Sequence, residues 1–289
     1  MRIRAGYEIT YDCPAPTPMV LMLNVRPERL DDLETPDALV CRPDIPVENY
    51  VDAFGNRCAR VLAPAGRVTL TSDFVIRDSG LPDPVLPAAP QHAIEALPAG
   101  ALEYLLPSRY CELELMNDLA WALFGDTQPG WPRVQAIVDY VHRRIAFGYQ
   151  FARPTKTAWQ AHQERQGVCR DYAHLAITLC RCMNIPARYC TGYLGDIGIP
   201  PVDAPMDFSA WFQVWLGGDW RTFDARHNKP RIGRILMAVG RDATDAAITT
   251  AFGPNQLVGF KVVTDEIVVT EHDHGSAPRD LEPERRAFG

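Results

Sequence analysis

Apolar and polar residues alternate from the start of the chain. Ile3, Ala5, Tyr7, Ile9 and Tyr11 are separated by Arg4, Gly6, Glu8 and Thr10, the period-2 pattern of a half-buried strand. A short apolar run follows at 19–25, then strand-like runs at 48–53, 57–62 and 67–76, the first two joined by Phe54-Gly55-Asn56. Short strands at this spacing, with turn signals between them, predict an antiparallel sandwich or small barrel. Prolines 82, 84, 87, 90, 98 and 107 crowd the next stretch and mark a connector.

The period then changes to that of helices. Residues 112–124 read as a helix, and Trp131-Pro132 opens another whose apolar face is Val134, Ile137, Val138, Val141 and Ile145. Lys156-Thr157-Ala158-Trp159 leads towards a third. There Val168, Tyr172, Leu175, Ala176, Leu179 and Met183 recur at helical spacing, and Asn184 and Pro186 end it. Strands return at 187–194, 208–216, 220–224 and 256–270. These patterns predict an α+β protein in four parts: an N-terminal β-rich domain at 1–80, a Pro-rich and helical connector at 81–130, a core at 131–270 and a loose charged tail at 271–289. His272-Asp273-His274 in that tail reads as solvated, not as a metal site.

Composition narrows the class. With 47% apolar and 22% charged residues among 289, the chain is an ordinary globular one, long enough for about two domains. Its 29 basic and 36 acidic side chains give a net charge of -7, and no basic block stands out, so neither nucleic acid nor an anionic membrane is an expected partner. The N-terminus runs straight into a strand pattern without an apolar leader, and no apolar run approaches a membrane span; a cytoplasmic location is expected. The eight cysteines, at 13, 41, 58, 111, 169, 180, 182 and 190, include no C-x-x-C and read as reduced thiols, seven of them as small core residues.

The eighth, Cys169, stands apart. It lies between Gly167 and an amphipathic helix, where the positive end of the macrodipole favours thiolate over thiol. The second chemical signal is a hairpin, in which Ser209 to Leu216 and Trp220 to Asp224 flank Gly217-Gly218, a dipeptide suited to a type I′ turn. With the two glycines as loop residues, Leu216 faces Asp219 and Trp211 faces Asp224. Ser209 and Asp224 then share one face as diagonal neighbours, about 7–8 Å apart. A cysteine at a helix start followed by an imidazole and a carboxylate on two strands is the geometry of a thiol hydrolase. Here the first and third positions are filled, and the second is Ser209, too short to bridge the gap and no base near neutral pH.

The segments Gly167-Val168-Cys169-Arg170-Asp171-Tyr172-Ala173-His174-Leu175, Asn184-Ile185-Pro186-Ala187-Arg188-Tyr189, Met206-Asp207-Phe208-Ser209-Ala210-Trp211-Phe212 and Thr222-Phe223-Asp224-Ala225-Arg226-His227-Asn228 resemble the bacterial transglutaminase-like family, described as cysteine proteases. The resemblance is strong over about 130–255 and extends to the all-β domain that precedes the core in that family. It implies a papain-like transglutaminase core with helices packed on an antiparallel sheet. It also implies Cys169 as nucleophile and Asp224 as orienting carboxylate. The family pattern Asp-Phe-His-Ala-Trp reads Asp-Phe-Ser-Ala-Trp here, so its histidine falls on Ser209, and Gln213 stands where an acidic residue is more usual. Trp211, Tyr149 and His227 are the residues expected to line the substrate, with Tyr149 and Gln150 the candidates for a second oxyanion donor beside the Cys169 amide.

Three readings of Ser209 stand open: an inactive relative kept for binding, a substitute base, or a change particular to this chain. As substitutes, His227 belongs to a motif found beside the family histidine, and His174 lies some 140° around the helix from Cys169. His142 and His162 carry surface or capping roles by default. The reaction implied is peptide or isopeptide hydrolysis, or acyl transfer from a glutamine-like side chain. No metal or organic cofactor is implied, and the partner is a peptide or protein amide. The alternative is a non-catalytic module that holds an extended peptide or an acyl group in the same groove.

Overall fold

The computed structural model describes residues 1–201 and 205–268; the predicted tail at 271–289 and the end of the predicted strand at 256–270 lie outside the described residues. Six strands come first: β1 (Arg2–Cys13), β2 (Thr17–Leu21), β3 (Val40–Arg42), β4 (Val47–Val51), β5 (Arg57–Ala63) and β6 (Gly66–Arg77). The middle of the chain holds α1 (Ala99–Leu102), α2 (Leu113–Phe124), α3 (Trp131–Arg144), β7 (Ala146–Phe147), α4 (Ala158–Glu164), β8 (Gln166–Gly167) and α5 (Cys169–Cys182). It ends in β9 (Ala187–Tyr193), β10 (Ser209–Leu216), β11 (Asp219–Phe223), β12 (Ile235–Gly240), β13 (Thr249–Ala251) and β14 (Gln256–Glu266). The fold is α+β, as the patterning predicts. No described helix is long and apolar enough to cross a membrane.

The alternation that opens the sequence builds a two-sheet sandwich. One sheet has the order β14-β1-β6-β3 and the other β13-β2-β5-β4. Ile3, Ala5, Ile9, Met19, Leu21, Val61, Phe74 and Ile76 point inward from both sheets into one core. Two of these strands come from the far end of the chain. β14 pairs with β1 from Ile3 opposite Glu266 to Asp12 opposite Gln256, and β13 pairs with β2. The strand over 256–270, grouped by sequence position with the core, thus completes the N-terminal sandwich.

The second sheet, β11-β10-β9-β12, is antiparallel throughout. Ala210, Phe212, Val214 and Leu216 of β10 face α5, where they meet Leu175, Leu179 and the apolar stripe of α3. The hairpin register is the predicted one, Leu216 opposite Asp219, and Gly217 and Gly218 take φ of 61° and 82°, the left-handed values of a type I′ turn. The helix α5 departs from the amphipathic expectation. From Asp171 to Cys182 every residue is buried, because the polar side is covered as well. There Arg181 donates to the Ala187 and Leu106 carbonyls and Thr178 to that of His174, so these buried donors have partners.

The connector is pinned rather than loose. Trp131 and Gly217 donate backbone hydrogen bonds to Ala89 and Pro90, and Asp83 accepts from the Arg231 amide. The sandwich in turn fixes the start of β10. Phe208 lies 5.1 Å from the Tyr193 ring, 5.9 Å from Phe260 and 6.2 Å from Tyr7, so its neighbour Ser209 begins the strand from a packed anchor.

Candidate active site

Cys169 is the first residue of α5. Val168, the residue before it, has no side-chain acceptor to cap the helix, and Asp171 supplies the cap by accepting the Val168 N–H at 2.9 Å. Gly167 is what lets Asp171 fold back: a Cβ there would meet the Asp171 side chain at 2.6 Å. Asp171 is therefore buried and holds the end of the helix that carries the thiol.

The thiol lines a cleft of about 520 Å³ with Arg153, Pro154, Val168, Tyr189, Thr191 and Ser209. A second cleft, of about 430 Å³, shares Asp207, Phe208 and Ser209 with it and adds Tyr149, Arg226 and His227. Ser209 thus sits where the two meet and lines one cleft with the nucleophile. Burial pushes the Cys169 thiol up from its ordinary value, and the Asp207 charge adds to this. The Arg226 guanidinium and the backbone amides of Ala210 and Arg170 pull the other way and do not prevail. Here the structure corrects the thiolate expectation. The helix N-terminus is present, but desolvation of the sulfur outweighs it.

Asp224 follows β11 and is buried. Its Oδ1 accepts the Arg226 and His227 backbone N–H groups, both at 3.0 Å; its Oδ2 accepts His227 Nδ1 at 2.8 Å and Arg234 Nη2 at 2.9 Å. A carboxylate offers about four acceptor positions, so Asp224 is fully engaged. Burial alone would raise this carboxyl; Arg234 and His227 hold it well below the usual carboxylate range. Arg234 also grips Asp83 of the connector at 2.9 Å, and its guanidinium lies 4.9 Å from the centre of the Trp211 ring. The turn after β11 is tied to α3, since Asn228 donates to Asp139 and His142 Nδ1 to the Ala225 carbonyl.

Of the residues expected near the substrate, Tyr149 and His227 line the cleft that reaches Ser209, whereas Trp211 does not. Its side chain is on the opposite face of the sheet, 2% exposed, with Cys190 and Val239. His174 points away from the thiol. It is buried, stacks on Tyr110 at 4.9 Å, and accepts the Ala243 N–H at Nε2. His162 is not a surface residue either, being buried with Nε2 2.8 Å from the Tyr140 hydroxyl. Sequence reading missed Arg226 and Arg234. Arg226 sits in Asp-Ala-Arg-His-Asn directly after the carboxylate and lies 3.8 Å from the centre of the Phe147 ring, a position the motif could have suggested. Arg234 is ten residues from Asp224 with no local signal.

The geometry can be set beside known proteins. Residues 118–225 match the family model of the transglutaminase-like superfamily. The chain contains a transglutaminase-like domain. An uncharacterised protein of Mycobacterium leprae (strain TN) is 40% identical over 92 residues, which cover 30% of this chain and 31% of that relative. The match therefore spans about a third of that protein's length. An uncharacterised protein of Mycobacterium tuberculosis (strain ATCC 25618 / H37Rv) is 28% identical over 216 residues, 67% of this chain and 68% of the other. The crystal structure of a putative cysteine protease from Cytophaga hutchinsonii superposes with a TM-score of 0.79 at 28% identity, covering 93% of this chain and 92% of that one. The likeness thus takes in the sandwich as well as the transglutaminase-like domain.

Proposed function

We propose that the cleft beside Cys169 binds a peptide or isopeptide amide, with Cys169 as nucleophile, and that turnover is disabled at Ser209. One observation carries this reading. The strand position that lines the cleft with the thiol bears a hydroxyl, while burial keeps the thiol protonated. When Sγ attacks an amide carbonyl, the S–H proton must reach the departing nitrogen as the C–N bond breaks. Water or a second amine then attacks the thioester, and the sulfur takes a proton back. An imidazole would carry the proton in both directions; serine carries it in neither, a loss of about 10²–10⁴ in rate.

Two other readings have their own support. The saturated Asp224 carboxylate has all its acceptor positions filled without an imidazole at 209, which favours a module that binds the amide and does no chemistry. The His227–Asp224 pair, on the other hand, has the arrangement of a base and its orienter. Against it, the charges that act on the thiol are those of Arg226 and Asp207.

The deciding measurement is the pH dependence of Cys169 alkylation by iodoacetamide, with Cys169→Ala as the blank for the other thiols. The rate is expected to keep rising beyond pH 9.0, the ordinary thiol value, because burial raises the folded-state pKa. His227→Gln is expected to leave the profile unchanged. An inflection well below about 8.5 would defeat the disabled-site reading, and its loss in His227→Gln would name the base. Binding of a glutamine-containing peptide that survives in Cys169→Ala, with no covalent adduct in the parent chain, would favour the module.

A further inference from the structure

The core sheet has a second occupied face. Opposite α5, a cleft of about 840 Å³ opens between β9–β12, the connector and the turn after β2, larger than either cleft near the thiol. Its polar lining is dominated by guanidinium groups. Arg26 and Arg29 come from the sandwich, Arg188 from β9, and Arg231 and Arg234 from the segment before β12 and its edge, against Glu28, Asp78 and Asp83. Asp32, Asp196 and Asp224 lie outside the lining and face Arg29, Arg231 and Arg234, which leaves Arg188 as the guanidinium to account for.

The pairing within the cleft is incomplete. Arg26 is matched by Glu28 and Arg29 by Asp32 and Asp78. Arg188 is not matched. It lies in a cross-strand row in which Gln213 stands opposite both Arg188 and Thr222. Arg188 Nε and Nη2 donate to Gln213 Oε1 at 2.9 and 2.6 Å, and Gln213 passes its own N–H to Thr222. Its guanidinium lies 4.2 Å from the centre of the Trp220 ring, and the carboxylate charge acting on it is that of Glu28, which Arg26 already holds. A half-buried guanidinium on a neutral acceptor forgoes hydration for a counter-charge that it shares with Arg26. Two further donors in the lining, Arg231 Nε and Arg234 Nη1, are buried with no acceptor. Native structures rarely leave such donors unmet.

The remainder of the lining is apolar. Leu81, Pro82, Pro84 and Val85 of the connector form one wall, and Leu81 and Val85 keep 70% and 52% of their surface exposed. An oxyanion placed on Arg188 and its neighbours would thus have an apolar body lying along the connector.

We propose that this cleft is a binding site for an organic anion, a carboxylate or phosphate monoester with an aliphatic part, held by the half-buried Arg188 with the buried guanidinium groups of Arg231 and Arg234 behind it. The site shares no lining residue with the cleft that holds the thiol, although Arg231 also borders the neighbouring cleft at Ser209, and it does not depend on any chemistry at Cys169. Trp211 and Trp220 on this face supply the signal.

The test is titration of tryptophan fluorescence, backed by calorimetry, with octanoate, octyl phosphate, inorganic phosphate and octanol. Octanoate or octyl phosphate is expected to bind saturably, and the tighter of the two names the headgroup. Arg188→Met keeps the apolar stem and removes the charge, and is expected to weaken binding at least tenfold. Leu81→Asp, on an exposed wall where folding is not at risk, is expected to weaken it as well. Cys169→Ala is expected to bind as the parent does. No binding by either octyl anion, equal binding of octanol, equal binding of inorganic phosphate, or indifference to both Arg188→Met and Leu81→Asp would overturn the proposal.

Discussion

Replacing Arg234 with methionine is expected to lower unfolding stability at neutral pH by about 3–5 kcal/mol, read as a fall in the urea midpoint. Removing one partner of a buried pair strands the other charge, and the cost of the stranded charge sets the size of the effect. Arg234 and Asp224 keep only 8% and 3% of their side-chain surface, and Arg234 also carries Asp83. The pH dependence has a definite sign. The folded Asp224 carboxyl is depressed, so its contribution is present above the ordinary aspartate value of about 3.9 and is lost as pH falls towards the folded value. In Arg234→Met the His227 contacts alone oppose burial, and that carboxyl rises. The deficit relative to the parent should therefore be largest near neutrality and shrink as the pH is lowered. Adding Asp224→Asn to the methionine variant should recover part of the loss. A single-variant cost below about 1 kcal/mol would show the pair to be solvated.

Ser209→His is expected to accelerate release of ammonia from a glutamine-containing peptide by about 10²-fold, the low end of what general acid–base catalysis supplies. The low end follows from Asp224. Its Oδ2 already accepts from His227 and Arg234, so a new imidazole would have to share an oxygen that two donors hold. The gain should vanish in Ser209→His/Cys169→Ala. Should the single variant show neither faster turnover nor faster alkylation at pH 7, position 209 would not be the one from which an imidazole reaches the thiol.

How much of this could be read from the sequence depended on how local each feature was. The cysteine helix, the hairpin and its register, and the period-2 strand at the start all rest on residues a few positions apart, and all stand where the pattern put them. β12 was missed: Ile-Leu-Met-Ala-Val-Gly has no alternation, and its burial between β9 and the sandwich is a tertiary fact. The same holds for Arg234, whose partners Asp224 and Asp83 lie 10 and 151 residues away. The raised Cys169 thiol was invisible for another reason. A helix start is legible in sequence, but the desolvation that outweighs it is a tertiary effect, set where α5 packs against the core sheet. Trp211 shows the limit of motif reading, since it adjoins the motif serine by only two residues yet serves the other side of the sheet.

The pairing of β14 with β1 has a consequence for how the chain is made. Strand β1 is synthesised about 250 residues ahead of β14, one of its two neighbours in the sheet. Until then a row of its backbone N–H and C=O groups is bare, a template for joining another nascent chain. The sandwich cannot close until β14 has been made, and closing a loop of about 250 residues makes this a slow step of folding. The helical domain, whose contacts are mostly nearer in sequence, can form while the first strand still waits for its partner.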